Sequence, residues 1–388
     1  MAAVTAGDEP KPQTQCTGLT PAFSIFLDLL RFTAALLVVI GHLTQPLFSK
    51  GWPNLIGMSF SMVAVFFVLS GFVIRHTAAV KPFNTAAYFI SRLARIYSVL
   101  IPAIFFTVAV DSLSRLINPN FYNIHFYEAT THLLLRILST LFFVTQTYGN
   151  DITLMSNSPM WSLGYEAPYY FMFGVFFYVR GLWRWLLALT AIAIQGPNIF
   201  VFFPLWLAGC QLYNVTQTCK RSPQTGVMFL ALFVVLSSLF YHLSTLTWPT
   251  LPAQWQWLAM IWRGRSFQFQ TFYAAGILTI TGILAAHHLQ DYCAKTLLII
   301  RKPVKALAGA SFSIYLYHFP LLVLARATIG YDKSSVPAKL CVLLFVFLVC
   351  FCLAQVTEKK KHVWSQLMTA LWLWLANLVT RTNCRPPG

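Results

Sequence analysis

The chain has 388 residues, 57% of them hydrophobic and only 10% charged, against about 25% charged in a soluble globular domain, so a water-soluble enzyme is excluded. The formal net charge is +17. The basic residues lie in short groups between apolar runs rather than on one stripe, which is the pattern of membrane topology and not of nucleic-acid binding.

In chain order, residues 1–22 read as a polar tail carrying Asp8, Glu9 and Lys11, without a cleavable signal pattern. Apolar runs near 20 residues then predict an all-α, polytopic transmembrane helix bundle. About ten spans are expected, at roughly 24–46, 56–75, 97–117, 160–179, 183–196, 198–214, 225–244, 267–287, 308–327 and 336–356. Segment 131–149 is also apolar but is placed as a helix lying at the surface or dipping in. With that placement and a cytoplasmic N-terminus, 18 basic residues fall inside and 8 outside, and Arg31 within a span completes the 27. This bias fits the positive-inside rule and puts both termini in the cytoplasm. One membrane domain is expected over 23–358. The tail 359–388, with a Lys run followed by Trp364, Trp372 and Trp374, predicts an interfacial helix. Cys210, Cys341, Cys350 and Cys352 lie in apolar runs without a C-x-x-C pair, so neither a disulfide framework nor a metal site is expected.

Ionisable groups inside spans are costly and mark function by default. Asp28 and Arg31 are three apart in the first span and can pair on one helix face. His42 follows eleven residues after Arg31, on the same stripe and about 16 Å further along the axis. The plainer reading is a salt bridge plus a packed histidine. Ser162 and Glu166 are four apart and share a face; the plainer reading there is a helix N-cap with a first-turn acid. Arg92 and Arg95, expected at the cytoplasmic start of the third span, are one turn apart and suit a phosphate; ordinary positive-inside charge explains them equally. Tyr315 and His318 precede Pro320 in the ninth span, where a kink accounts for the proline but not for the histidine.

Taken together, these segments resemble the acyltransferase-3 family, membrane-bound O-acyltransferases of the bacterial glycan O-acetylase type. Leu27-Asp28-Leu29-Leu30-Arg31 with Gly41-His42 is similar to the family's first-helix motif, and Phe66 to Phe72 (FFVLSGF) to its second-helix signature. Arg92-Leu93-Ala94-Arg95-Ile96-Tyr97, Trp161-Ser162-Leu163 with Glu166, and Ser313 to Pro320 (SIYLYHFP) resemble later blocks, and Glu358 a closing acid. The blocks run in the family's order over about 22–358. Leu29 stands where a Gly is usual, Ser98 where Pro is frequent, and Ala167-Pro168 where a second acid and Gln are common. The last departure bears on acceptor contacts.

The resemblance implies a multi-pass protein of the plasma (bacterial inner) membrane. It would move an acyl group, commonly acetyl from acetyl-CoA, onto a hydroxyl of an extracytoplasmic glycan or similar acceptor. Acyl-CoA is then a donor substrate, no cofactor is needed, and the partners are donor, acceptor and membrane lipid. On this reading His42 is the general base and Glu166 orients it. Arg31 balances Asp28 or stabilises oxyanion charge, and Arg92 and Arg95 hold the donor phosphates. Ser162, Tyr315 and His318 complete the substrate-binding set. A transporter or channel is the competing class, since it too places charge in spans.

Overall fold

The computed structural model describes residues 19–81, 84–244 and 269–383. Lys11, Arg263, Arg265 and Arg385 of the topology count, and the start of the span expected from 267, lie outside the described residues.

In hydrocarbon each backbone N–H must bond within its own segment, so the apolar runs fold as helices. They are α1 (Pro21–Leu43), α2 (Ile56–Val80), α3 (Thr85–Ile117), α4 (Pro119–Thr130), α5 (Leu133–Leu141), α6 (Leu163–Tyr178) and α7 (Leu182–Gln195). There follow α8 (Phe203–Thr218), α9 (Pro223–Ser244), α10 (Phe269–Ile299), α11 (Arg301–Ala308), α12 (Ser311–Ile329), α13 (Val336–Val356) and α14 (Lys361–Asn383). Polar caps fix several starts. Thr20 Oγ1 accepts from Phe23 N at 3.3 Å ahead of α1, where Pro21 costs no helix bond. Asn84 Oδ1 accepts from Ala87 N at 2.7 Å ahead of α3.

Among the described residues, 8 helical stretches are long and apolar enough to cross a membrane: α1, α2, α3, Pro197–Thr218, Pro223–His242, Gln270–Ile299, α12, and α13 running on into α14 as Val336–Leu375. The spans expected at 160–179 and 183–196 are helices of 16 and 14 residues, short of the roughly 20 a crossing needs. Helix α5, with 9 residues, is about 13 Å long and too short to cross, as expected for that segment. Helix α3 begins at Thr85, twelve residues before the span expected from 97. Arg92 and Arg95 therefore sit well inside a helix, not at its start.

Helix α6 is preceded directly by a 3-10 turn, Ser158–Ser162, and that in turn by non-helical backbone. Helix α6 runs antiparallel to α3, with Thr85 Oγ1 bonding Tyr178 O at 3.4 Å and Tyr88 OH bonding Tyr170 O at 2.9 Å. Upstream of Ser158 the chain continues along α3 without helix. Ser156 and Asn157, both 1% exposed, bond Asp111 and Thr107 of α3. Non-helical backbone at this depth persists only where protein satisfies it. The buried Asp111 carboxylate does so, accepting from Ser156 N at 2.7 Å and Ser156 Oγ at 2.9 Å.

Helix α12 is the centre of the bundle, buried at most positions from Ser311 to Ala327. It lies parallel to α1: Arg31 meets Ala308, His42 meets His318, and Tyr331 OH bonds Phe48 O at 3.0 Å. Pro320 removes the N–H that would bond Leu316 O four residues earlier. Asn157 Nδ2 takes over that carbonyl at 2.8 Å, so the proline in α12 and the non-helical backbone at Asn157 satisfy each other. Helices α2 and α8 run side by side at backbone contact. A Cβ on Gly71 would lie 2.0 Å from Trp206 O, and one on Gly209 would lie 2.1 Å from Val68 O. Small residues permit such approach in membranes.

Candidate functional site

Two polar clusters lie inside the bundle, one at each end of the Arg31–His42 stripe of α1. At the first, Arg31 Nη2 donates to Asp28 Oδ1 at 3.2 Å and to Ala308 O at 2.9 Å. Arg31 is in electrostatic reach of Arg95 and Glu358. Arg95 in turn faces Tyr170, Glu358 and Glu166. Arg92 is 8% exposed, its guanidinium lies 5.8 Å from the Tyr88 ring centre, and its Nε has no partner. Glu358 Oε2 accepts from Ser313 N at 3.1 Å and Ser313 Oγ at 3.2 Å. Lys361, at the start of α14, faces Arg95, Glu358, Arg31 and Arg92. Four cations (Arg31, Arg92, Arg95 and Lys361) thus share this region with three carboxylates (Asp28, Glu166 and Glu358). The excess is positive and part of its donor capacity is unspent, which is the character of an anion site.

Glu166 belongs to this cluster. Its Oε1 accepts from Ser70 Oγ at 2.8 Å and from the Tyr170 hydroxyl, and Trp206 Nε1 donates to Ser70 Oγ at 3.2 Å. It makes no hydrogen bond to His42. The expected pairing of Glu166 with His42 is therefore corrected: one helical turn separates Glu166 from Ser162, and that turn carries the carboxylate toward Arg95. Ser162 does occupy the N-cap position of α6 and Glu166 its first turn. The Ser162 side chain caps nothing and bonds the Tyr315 hydroxyl at 2.9 Å instead.

The second cluster is built on α1 and α12. The His42 and His318 ring centres are 5.2 Å apart, and His42 also packs edge-on against Phe319 at 5.1 Å. His42 is 8% exposed and His318 is 0% exposed. Gln45 Nε2 lies 2.6 Å from His42 Nδ1. His318 Nδ1 lies 3.0 Å from Ile314 O and 2.9 Å from Tyr315 O. Tyr315 OH donates to Pro159 O at 2.8 Å and ties the 3-10 turn ahead of α6 to α12. Tyr315 and His318, three apart on α12, share a face, whereas Ser313, two residues before Tyr315, points the other way to Glu358.

The structure brings Asp28, Arg31, Arg92, Arg95 and Glu166 to one cluster, His42 and His318 to the other, and Ser162 and Tyr315 between them. Sequence reasoning did not select Ser70, Tyr170, Ser313 or Lys361. Ser70 and Ser313 lay within quoted motif blocks, but a serine in a span carries little signal alone. Asp111 was missed although an acid in an apolar helix is conspicuous.

Residues 24–355 match the acyltransferase-3 family, described as an acyltransferase domain. The chain belongs to this family. Curated relatives include the O-acetyltransferase OatA of Staphylococcus aureus strains NCTC 8325 and COL, each 24% identical over 355 residues, covering 82% of this chain and 53% of the relative. The chain spans about half the length of these relatives. No solved structure matches. With its family and the 8 long apolar helices among its described residues, this acyltransferase-3 protein is an integral, multi-pass membrane protein.

Proposed function

We propose that this acyltransferase-3 protein transfers an acyl group, acetyl from acetyl-CoA, to a hydroxyl of an extracytoplasmic glycan at the plasma (bacterial inner) membrane. The observation that carries this reading is the pair of clusters on one stripe of α1: a cation-rich site at Arg31 and an imidazole pair at His42, about 16 Å apart. Donor phosphates bind Arg92 and Arg95 from the cytoplasmic side, aided by Arg31 and Lys361. The pantetheine arm passes the Ser162–Tyr315 pair and delivers the thioester to His42 and His318. The acceptor hydroxyl arrives from the outer side, where imidazole activates it. The relatives' printed activity, O-acetyl transfer, supports the acetyl group and the oxygen acceptor. The non-helical backbone at Ser156 and Asn157, a feature also expected of transporters, is here tied to α3 and α12 by buried hydrogen bonds.

The test uses proteoliposomes of known orientation, with acetyl-CoA and a glycan acceptor each supplied on one side. Product should form only with acetyl-CoA on the Arg92 face and acceptor on the opposite face. Efficient transfer with both on the Arg92 face would defeat the vectorial reading and indicate a cytoplasmic acceptor.

A further inference from the structure

The two imidazoles of the second cluster are chemically distinct. His318 Nδ1 is held between two backbone carbonyls, Ile314 O at 3.0 Å and Tyr315 O at 2.9 Å. Carbonyls only accept, so Nδ1 carries the ring hydrogen, and the lone pair of the neutral ring is on Nε2. That Nε2 is buried and has no hydrogen-bond partner. His42 has the opposite arrangement. Its Nδ1 faces the Gln45 amide nitrogen at 2.6 Å, and an amide nitrogen only donates. His42 Nδ1 therefore accepts, and its hydrogen is on Nε2. A bare nitrogen base and an N–H donor thus stand on rings whose centres are 5.2 Å apart.

We infer that His318, and not His42, is the base that deprotonates the acceptor hydroxyl, while His42 is the donor that steadies the thioester oxygen. This rests on the acyl-transfer reading above and divides the labour within it. The hydroxyl proton passes to His318 Nε2 as the hydroxyl oxygen forms a C–O bond to the thioester carbon. The carbonyl π electrons move to oxygen, where His42 Nε2–H donates to the developing charge. On collapse the C–S bond breaks, and the departing thiolate takes the proton from His318. Atoms and charge balance with no further reactant. The backbone clamp on Nδ1 does for His318 what a carboxylate does for other catalytic histidines: it fixes the tautomer. This explains how the pair works without Glu166.

Glutamine places an amide nitrogen where histidine has Nε2, so it can donate there but cannot act as a base. His42→Gln keeps the donor and should retain turnover within about tenfold of wild type. His318→Gln and His318→Asn both lose the base and should lower kcat about 100-fold or more. His318→Asn in addition preserves a donor toward Ile314 O and Tyr315 O, which guards against a merely structural effect. The donor KM should stay unchanged in all three, because the cation cluster is untouched. An inert His42→Gln beside a near-wild-type His318→Gln would overturn the assignment, as would equal loss in both. Wild-type protein that transfers no acyl group to any hydroxyl would overturn the underlying reading instead. On the wild-type enzyme alone, single-turnover rates in H2O and D2O mixtures should show a proton in flight. No isotope effect on an established chemical step would refute base catalysis here.

Discussion

Arg92 allows a clean separation of binding from stability. Its guanidinium is buried, its Nε has no partner, and its hydrogen bond is a long one of 3.4 Å to Ser91 Oγ. Most buried charges cannot be removed without stranding a partner, which costs about 3–5 kcal/mol. Arg92→Met gives up that weak contact and the 5.8 Å approach to the Tyr88 ring, strands no charged partner and fills similar volume. The orphaned Nε itself represents about 1–3 kcal/mol of unrecovered desolvation in the unliganded protein. The apparent melting temperature in detergent should therefore hold or rise. Donor affinity should fall: a charge-assisted contact to phosphate contributes about 1.5–3 kcal/mol, or roughly a 10- to 150-fold increase in Kd at about 1.4 kcal/mol per tenfold. The assay is calorimetric titration of acetyl-CoA into protein in nanodiscs, alongside thermal unfolding of the same preparation. A lower melting temperature with unchanged donor Kd would refute the reasoning and return Arg92 to topology and packing against Tyr88.

Three further outcomes follow from the same geometry. His42→Ala removes both the donor and the ring, and should lower turnover about 100-fold or more with membrane insertion unchanged; wild-type turnover in a folded variant would remove His42 from the site. Glu166→Gln keeps an oxygen for Ser70 but deletes the charge facing Arg95, so the donor KM should change and the acceptor KM should not; an acceptor-only change would put Glu166 back on the His42 side. Asp111→Ala strands Ser156 N and Oγ in the core and should cost about 3 kcal/mol, read as a lower melting temperature, whereas Asp111→Asn recovers part of it; an unchanged Ala variant would show that the non-helical segment at Ser156 does not depend on this carboxylate.

Hydropathy alone determined that the chain is a helical, multi-pass membrane protein, because apolar runs in lipid must satisfy their own backbone. The spacing of Arg31 and His42 fixed a common stripe and its length, since helix geometry is local. The motif blocks indicated the family that the match over 24–355 shows. What the sequence left undecided depends on contacts between helices. Lipid tails are as apolar as leucine, so helix association rests on small residues and polar pairs that leave faint traces in composition. Gly71 and Gly209, which seat α2 against α8, read as two ordinary glycines until their neighbours Trp206 and Val68 are seen. Periodicity places Glu166 on the face of Ser162, but only packing against α3 and α2 directs it to Ser70 and Tyr170 rather than to His42. Hydropathy also reads 160–179 as one span. It cannot register that the helix tightens to a 3-10 turn at Ser158–Ser162 and is lost at Ser156 and Asn157, because the compensating partners, Asp111, Thr107 and Leu316, lie 45 to 159 residues away in the chain. The meeting of His42 with His318 is of the same kind: two single histidines 276 positions apart, joined only because α1 and α12 run parallel through the core.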